Sequence, residues 1–125
     1  MTVVLDAGAL IAIDRRDRAV GAMLRIAQQQ HVAVRSSGGA VAQVWRDGAR
    51  QANLARVLSG VDVAALDLAA AKRIGPLLGA TETSDAIDGH VAQLANAGDH
   101  LVTSDAEDMR RLLGNRVRDV TILTV

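Results

Sequence analysis

The sequence lacks several kinds of side chain on which common functions depend. It has no cysteine, which excludes a disulfide scaffold, a thiol nucleophile and a thiolate zinc site. Trp45 is its only Phe, Tyr or Trp residue, so the chain has no platform on which several single-stranded bases can stack. Any nucleic acid would therefore be held by its backbone or its shape.

Long apolar runs are also missing. No run approaches the roughly 18 residues that a membrane span needs. The first ten residues lack the basic segment and the small-residue cleavage site of a signal peptide. We therefore expect a cytoplasmic protein with no membrane partner.

Size and composition favour one folded unit. The 125 residues are 50% hydrophobic and 22% charged, a balance typical of a globular chain rather than a disordered one. This length predicts a single domain over residues 1–125. Fourteen basic residues balance fourteen acidic ones. Nearly all are arginine and aspartate, a bias that we attribute to a GC-rich genome.

Five short apolar segments predict β-strands. They are Thr2 to Leu5, His31 to Arg35, Val61 to Leu66, His100 to Thr103 and Val120 to Val125. The first, second and last are almost continuous Val, Ile and Leu runs, as in strands covered on both faces. Between them, apolar residues recur at helical spacing over residues 20–27, 41–45, 54–58, 87–95 and 109–113. Such alternation predicts an α/β fold with three layers, α/β/α, around a parallel sheet of about five strands.

Glycine, proline and capping residues predict where the helices begin and end. Helix ends are expected at four glycines, Gly48, Gly60, Gly98 and Gly114. The pair Gly75-Pro76 is expected to break or kink the helix that starts near Asp67. Ser104 followed by Glu107 fits a capping box, with Ser104 as the N-cap of a short helix.

Two aspartates follow predicted strands at the edge where α/β proteins bind ligands. Asp6 comes directly after the first strand, and Asp105 comes two residues after the fourth. In open α/β sheets, ligands bind outside the carboxyl ends of the strands. Taken singly, each aspartate is better explained as the cap of the following helix.

The acidic pairs Asp85/Asp88 and Asp105/Asp108 favour a binding site over capping alone. Residues three apart share a helix face, where two like charges repel with no structural gain. Asp88 also borders the apolar stripe that contains Val91. Carboxylates gathered at one sheet edge, without cysteine or paired histidines, predict an oxygen-ligand site for Mg²⁺ or Mn²⁺. Two such ions can activate water for phosphodiester hydrolysis.

The neutral total charge is compatible with a nucleic-acid substrate. Removing the five aspartates of the predicted site leaves nine acids against fourteen basic residues elsewhere. This composition therefore allows an acidic pocket in a basic surround. No phosphate-binding glycine motif or nucleophile elbow occurs, and we expect His31, His90 and His100 to be structural.

Four segments resemble the PIN domains, and among them the VapC toxins of VapBC toxin–antitoxin pairs. They span Val4 to Leu10, Ala40 to Arg46, Ser84 to Ala92 and Leu101 to Asp108. Each motif is short, but their order and spacing cover almost the whole chain. The resemblance implies a Mg²⁺- or Mn²⁺-dependent ribonuclease that works as a homodimer. It also implies a VapB-like antitoxin that inserts a segment into the active site.

The family's acidic residues map onto this chain by position. Asp6 matches the first acid of the family, Asp88 the third and Asp105 the fourth. Asp85 and Asp108 would be auxiliary acids, and the resemblance allows Thr103 or Ser104 to form hydrogen bonds in the site.

One position departs from the family pattern. Where the family has its second acid, a glutamate, this chain has Gln43. A glutamine can orient water but adds no negative charge, so cation affinity should fall. Two hypotheses follow, an active endoribonuclease and a catalytically weak module that acts by binding antitoxin or RNA. A phosphorylated receiver-like domain is a third hypothesis, but the only lysine, Lys72, is not in the late position that such a domain needs.

Overall fold

The computed structural model describes residues 1–83 and 85–125, and it contains a five-stranded sheet with helices between the strands. The strands are β1 (Thr2–Leu5), β2 (Ala33–Ser37), β3 (Asp62–Ala64), β4 (His100–Thr103) and β5 (Thr121–Thr124). The helices are α1 (Ala7–Asp14), α2 (Arg18–Gln29), α3 (Gly38–Val44), α4 (Ala52–Leu58), α5 (Leu68–Thr81), α6 (Ala86–Leu94) and α7 (Ala106–Leu113). A 3₁₀ helix, Gly114–Asp119, precedes β5.

The sheet topology places the end of β1 beside the end of β4. All strand pairs are parallel, in the order β3-β2-β1-β4-β5. The chain winds from β1 towards β3, then crosses back to β4, so the winding direction reverses between β1 and β4. This reversal leaves a crevice at the carboxyl edge of the sheet, where α/β proteins bind ligands.

Helices cover both faces of the sheet. Parallel crossovers are right-handed, so α1 to α4 lie on one face and α5 to α7 on the other. Contacts agree, since α1 touches α2, α3 and α4, whereas α5, α6 and α7 touch one another. The core lies between these layers and includes Val4, Leu5, Leu10, Leu101 and Met109. The predicted three-layer α/β class with five parallel strands is confirmed.

Three predicted strands differ from the observed ones. The second begins two residues later than predicted because His31 adopts a φ of 56° and turns the chain after α2. It extends over Ser36 and Ser37, whose buried hydroxyls are satisfied by hydrogen bonds. The third covers only Asp62–Ala64, at the sheet edge. The last strand, β5, forms the other edge of the sheet and is partly exposed. The prediction that it is covered on both faces is therefore wrong.

Two predicted helix ends, at Gly48 and Gly98, are also wrong. Helix α3 ends at Val44, because Trp45 has extended backbone, so neither Trp45 nor Gly48 belongs to it. The Gln51 side chain instead fixes the following loop, accepting from the Arg46 and Asp47 amides. Gly98 follows the end of α6 by four residues and lies in a separate turn.

The structure also differs from the predictions at Gly75-Pro76 and at Ser104. Helix α5 starts after Asp67 as predicted, but it continues through Pro76 to Thr81. The N-cap of α7 is Asp105 rather than Ser104, because the Asp105 carboxylate accepts from the Asp108 amide. The backbone amide of Ser104 instead donates to Asp6.

Among the described residues, no helix is long and apolar enough to cross a membrane.

Candidate functional site

Asp6 is the most firmly positioned acid at the crevice between β1 and β4. It follows β1 directly, is only 3% exposed, and is the N-cap of α1. Its Oδ1 accepts from the Ala9 amide at 2.8 Å. Its Oδ2 accepts from the Thr103 hydroxyl at 2.5 Å and from the Ser104 amide at 3.3 Å. Both oxygens are therefore fixed by donors from α1 and from the end of β4.

Thr103 connects Asp6 to Asp105. Its side chain is fully buried, and its hydroxyl oxygen accepts from the Asp105 amide at 2.9 Å while donating to Asp6. The backbone of the β4–α7 loop is thus tied to the first acid. Both residues named by the resemblance as hydrogen-bonding groups, Thr103 and Ser104, contact Asp6.

Asp85 and Asp105 act as helix caps. The Asp85 Oδ1 accepts from the Asp88 amide at 2.9 Å, and the Asp105 Oδ1 accepts from the Asp108 amide at 3.1 Å. The capping interpretation is therefore correct for Asp6 and Asp105. Asp85 also caps a helix, so the expectation that the Asp85/Asp88 pair brings no structural gain is wrong. Each cap satisfies one carboxylate oxygen, and in the described part of the chain no backbone amide donates to the second oxygen of Asp85 or Asp105.

Asp88 reveals how closely the acids are grouped. Burial raises its pKa to about 7, helped by the neighbouring charges of Asp85, Asp6 and Asp108 and by a hydrogen bond with Asp85. Burial also raises the pKa of Asp6, although its hydrogen-bond donors oppose that rise. The structure therefore brings Asp6, Asp85, Asp88 and Asp108 into one electrostatic cluster, here called the carboxylate cluster.

Within the described residues, Asp108 is the one member of this cluster with an ion-pair partner. Its Oδ1 lies 3.7 Å from a terminal nitrogen of Arg111, and both side chains are about half exposed. A pair this open contributes little to stability, since water screens it. Asp105 is joined to the cluster through Thr103 rather than through a charge effect on Asp88.

Gln43 lies on the exposed side of α3. It comes one turn after Gly39, where α3 approaches α6 so closely that an added Cβ would lie 2.8 Å from Ile87. Its prediction as a site residue rests on the resemblance. The motif residue Ser84 lies outside the described residues.

The donor set suits a hard divalent cation, but the side chains are not gathered into a closed ligand group. Within residues 1–83 and 85–125, no three acidic or histidine side chains are close enough to hold a metal ion. The caps explain this spacing, since Asp85 and Asp105 each direct one oxygen to a helix amide. All candidate donors are carboxylate oxygens, which Mg²⁺ and Mn²⁺ prefer. The repulsion around Asp88 is the kind that a bound cation relieves.

The raised pKa of Asp88 predicts that metal-free protein loses stability as pH rises. The group ionises near 3.8 when unfolded and near 7 when folded, so its favourable contribution is complete below about pH 4 and disappears through pH 7. Because Asp88 is partly exposed, we discount the full value and expect the free energy of unfolding to fall by about 2 kcal/mol between pH 4 and pH 8. The Asp88→Asn variant should not show this fall. Urea unfolding of both proteins in EDTA between pH 4 and 8 measures the difference. Parallel pH profiles would contradict the prediction.

Gly8 is a site residue that the sequence patterns did not single out. A Cβ at this position would overlap the Ser104 side chain and lie 3.1 Å from the Ser104 backbone nitrogen. Only glycine lets α1 approach the loop that donates to Asp6. The sequence marks Gly8 only as part of the first motif. That it must be glycine depends on how closely α1 approaches the loop after β4, which follows from the pairing of strands distant in sequence.

A large basic groove lies apart from the carboxylate cluster. It has a volume of about 950 Å³, and none of the six predicted site residues lines it. Four arginines border it, over a floor that includes Leu24 and Val57: Arg16, Arg18, Arg25 and Arg56. Asp17 is the acid among its lining residues, and its carboxylate caps α2.

Comparison with known proteins identifies the fold. No family model and no curated protein matches the sequence. Among solved structures, the chain is similar to a chain of VapBC2 from Rickettsia felis, a complex solved bound to a DNA fragment from its promoter. The TM-score is 0.69 at 14% identity, covering 100% of this chain and 99% of that one. The chain therefore has the fold of a VapC-type PIN domain, as its four motifs predict.

Proposed function

We propose that the protein is a Mg²⁺- or Mn²⁺-dependent endoribonuclease, the toxin of a type II toxin–antitoxin system. The observation that carries this proposal is the carboxylate cluster, because it lies at the β1–β4 crevice of a VapC-type fold. Asp6 is buried and lies in a cluster with three other carboxylates, Asp85, Asp88 and Asp108. The structure of the fold does not require this much uncompensated negative charge at one place. Metal-assisted hydrolysis of an RNA phosphodiester uses this kind of acidic site.

The proposed metal ligands are Asp6, Asp88 and Asp105, with Asp85 and Asp108 as auxiliary acids. A divalent cation bound there would neutralise the phosphodiester charge and activate water for attack on phosphorus. Asp6 would present an oxygen whose direction Thr103 and Ser104 already fix. Gln43, which is neutral, would orient a water or the RNA.

The caps keep the two outer acids in place during substrate binding. Asp85 and Asp105 each begin a helix, α6 and α7, so their backbone positions are set by the helix ends. The second oxygen of each carboxylate, to which no helix amide donates, would contact a cation or a water bound near it. The helix N-termini also favour the negative charge of the carboxylates and of a substrate phosphate.

The partners proposed for this chain are a VapB-like antitoxin, an RNA substrate and a second copy of the chain. The antitoxin is supported by the similar structure, which is a VapBC2 complex. The homodimer and the inserted antitoxin segment come from the family resemblance. We propose that this activity takes place in the cytoplasm.

Cation-dependent RNA cleavage tests the proposal. Purified protein should cut a mixed pool of labelled RNAs with Mn²⁺ or Mg²⁺ and leave it intact in EDTA. Asp17→Asn is a matched control, because Asp17 caps α2 outside the carboxylate cluster and asparagine caps equally well. Cleavage that persists in EDTA would contradict the proposed chemistry.

The second candidate function is a binding module with little activity. It is favoured by Gln43, which leaves the site one carboxylate short of the family pattern, and by the basic groove. If this function is correct, RNA or antitoxin binds while RNA stays uncut in Mn²⁺.

The Gln43→Glu variant separates the two functions. Under the nuclease proposal, the added charge should raise Mn²⁺ affinity and cleavage about tenfold, since one more charged ligand stabilises the cation. Gln43→Ala is the control for side-chain loss. Unchanged cleavage in Gln43→Glu would show that position 43 does not belong to the site.

A further inference from the structure

A separate polar cavity lies between the β2–β3 edge of the sheet and helices α5 and α6. Its volume is about 280 Å³. Its polar lining residues include Arg35, Asp67, Arg73, His90, Gln93 and Asn96. None of the six residues of the proposed nuclease site is among them, so its occupant would be a second ligand.

His90 is buried beside this cavity, and its hydrogen bond with Ser37 shows which imidazole nitrogen carries the hydrogen. The residue is 1% exposed, and its Nδ1 lies 2.7 Å from the Ser37 Oγ. That oxygen already accepts from the Gly39 amide at 3.1 Å. Ser37 is fully buried, and the described residues offer its hydroxyl no other acceptor. The hydroxyl therefore donates to Nδ1, which leaves the imidazole hydrogen on Nε2.

The Nε2–H group of His90 is directed into the cavity. It has no hydrogen bond within residues 1–83 and 85–125, whereas every fully enclosed side-chain nitrogen or oxygen there has a partner. Nε2 is therefore not fully enclosed, and the space it meets is the cavity that His90 lines. A nearly buried donor without a protein acceptor indicates a ligand that accepts hydrogen bonds.

Two arginines make the cavity suitable for an anion. Arg35 and Ser37 are two residues apart in β2, so their side chains lie on the same face of the sheet. The contact between Ser37 and His90 shows that α6 covers this face. The Arg35 Nε donates to the largely exposed Asp62, and its terminal nitrogens remain available. Arg73 has no ion pair among the described residues. Asp67 is the acid of the lining, and one of its oxygens caps α5.

We propose that this cavity binds a phosphate group, as a free ion or as a phosphate of an RNA chain. His90 Nε2 and the Arg73 guanidinium are the main donors, with Arg35, Gln93 and Asn96 around them. Arginine suits this ligand because its planar fork matches the geometry of phosphate oxygens. This site does not depend on the proposed nuclease activity.

Calorimetric titration in EDTA tests the site, because cation-dependent cleavage cannot then alter an RNA probe. The probes are inorganic phosphate and a short RNA with a 5′-phosphate or a 5′-hydroxyl. Arg73→Gln should weaken binding about tenfold, the loss expected for one charge-assisted hydrogen bond. Lys72→Gln is the matched control, since Lys72 is exposed on the same helix and does not line the cavity. It should change binding less than about twofold.

The outcomes distinguish the source of the phosphate. Binding of inorganic phosphate alone supports the free ion, and tighter binding of the 5′-phosphorylated RNA supports an RNA phosphate. Nitrogen NMR of labelled histidine should show the hydrogen of His90 on Nε2 and a shifted Nε2 resonance when phosphate is added. The proposal is overturned if no probe binds at millimolar concentration, if both variants weaken binding equally, or if Nε2 carries no hydrogen.

Discussion

Replacing Asp6 with asparagine should lower RNA cleavage by more than about a hundredfold while leaving the protein folded. The loss exceeds the effect usual for residues that only orient a ligand, because Asp6 is proposed to contact the cation itself. The fold should survive with some loss of stability. Asparagine also caps helices and its oxygen can accept from the Ala9 amide, whereas its Nδ2 cannot accept from the Thr103 hydroxyl or the Ser104 amide. Cleavage rates in Mn²⁺ and circular dichroism of both proteins measure the two effects.

The control for Asp6→Asn must also remove a capping carboxylate. Asp17→Asn does so at the start of α2, outside the carboxylate cluster. It should cleave RNA at the wild-type rate. If both variants lose activity equally, the effect of Asp6→Asn comes from helix capping and not from the site.

Replacing Asp88 with asparagine should separate stability from function. The variant should lose Mn²⁺-dependent cleavage by about a hundredfold, because a proposed ligand becomes neutral. At neutral pH without metal it should nevertheless unfold at higher urea concentration than the wild type, since the repulsion with Asp85, Asp6 and Asp108 is removed. Opposite signs for activity and stability are typical of a residue retained for function.

Asp119→Asn is the control for the loss of one negative charge. Asp119 is exposed and lies just before β5, at the amino edge of the sheet, opposite the carboxylate cluster. It should change neither cleavage nor the pH profile of stability. A stability loss in Asp88→Asn would show that Asp88 has a structural role that the charge pattern does not explain.

The positions of the acids could be predicted because they depend on local sequence. Asp6 directly follows an apolar strand, so a parallel sheet places it at the carboxyl edge whatever the rest of the chain does. Asp85 and Asp88 are three residues apart, and this spacing places them at the N-cap and in the first turn of one helix, α6. The same locality explains why β1 and β4 were predicted with their observed bounds.

The contacts between distant residues could not be predicted from local patterns. The hydrogen bond from Thr103 to Asp6 joins residues 97 apart and exists because β4 pairs with β1. The Ser37–His90 pair spans 53 residues and depends on the docking of α6 on the sheet. The end of β2 was missed for the same reason, since the serines there are polar in sequence but satisfied only by tertiary partners.

Titration of Mn²⁺ into the purified protein, followed by calorimetry, tests most directly whether the carboxylate cluster is a cation site. The wild type should bind Mn²⁺, Asp88→Asn should lose that binding, and Gln43→Glu should bind more tightly. Such a series would tie position 43 and the cluster to the same cation. Absence of binding by all three proteins at millimolar Mn²⁺ would contradict the nuclease proposal, because carboxylates that hold no cation cannot support metal-dependent hydrolysis.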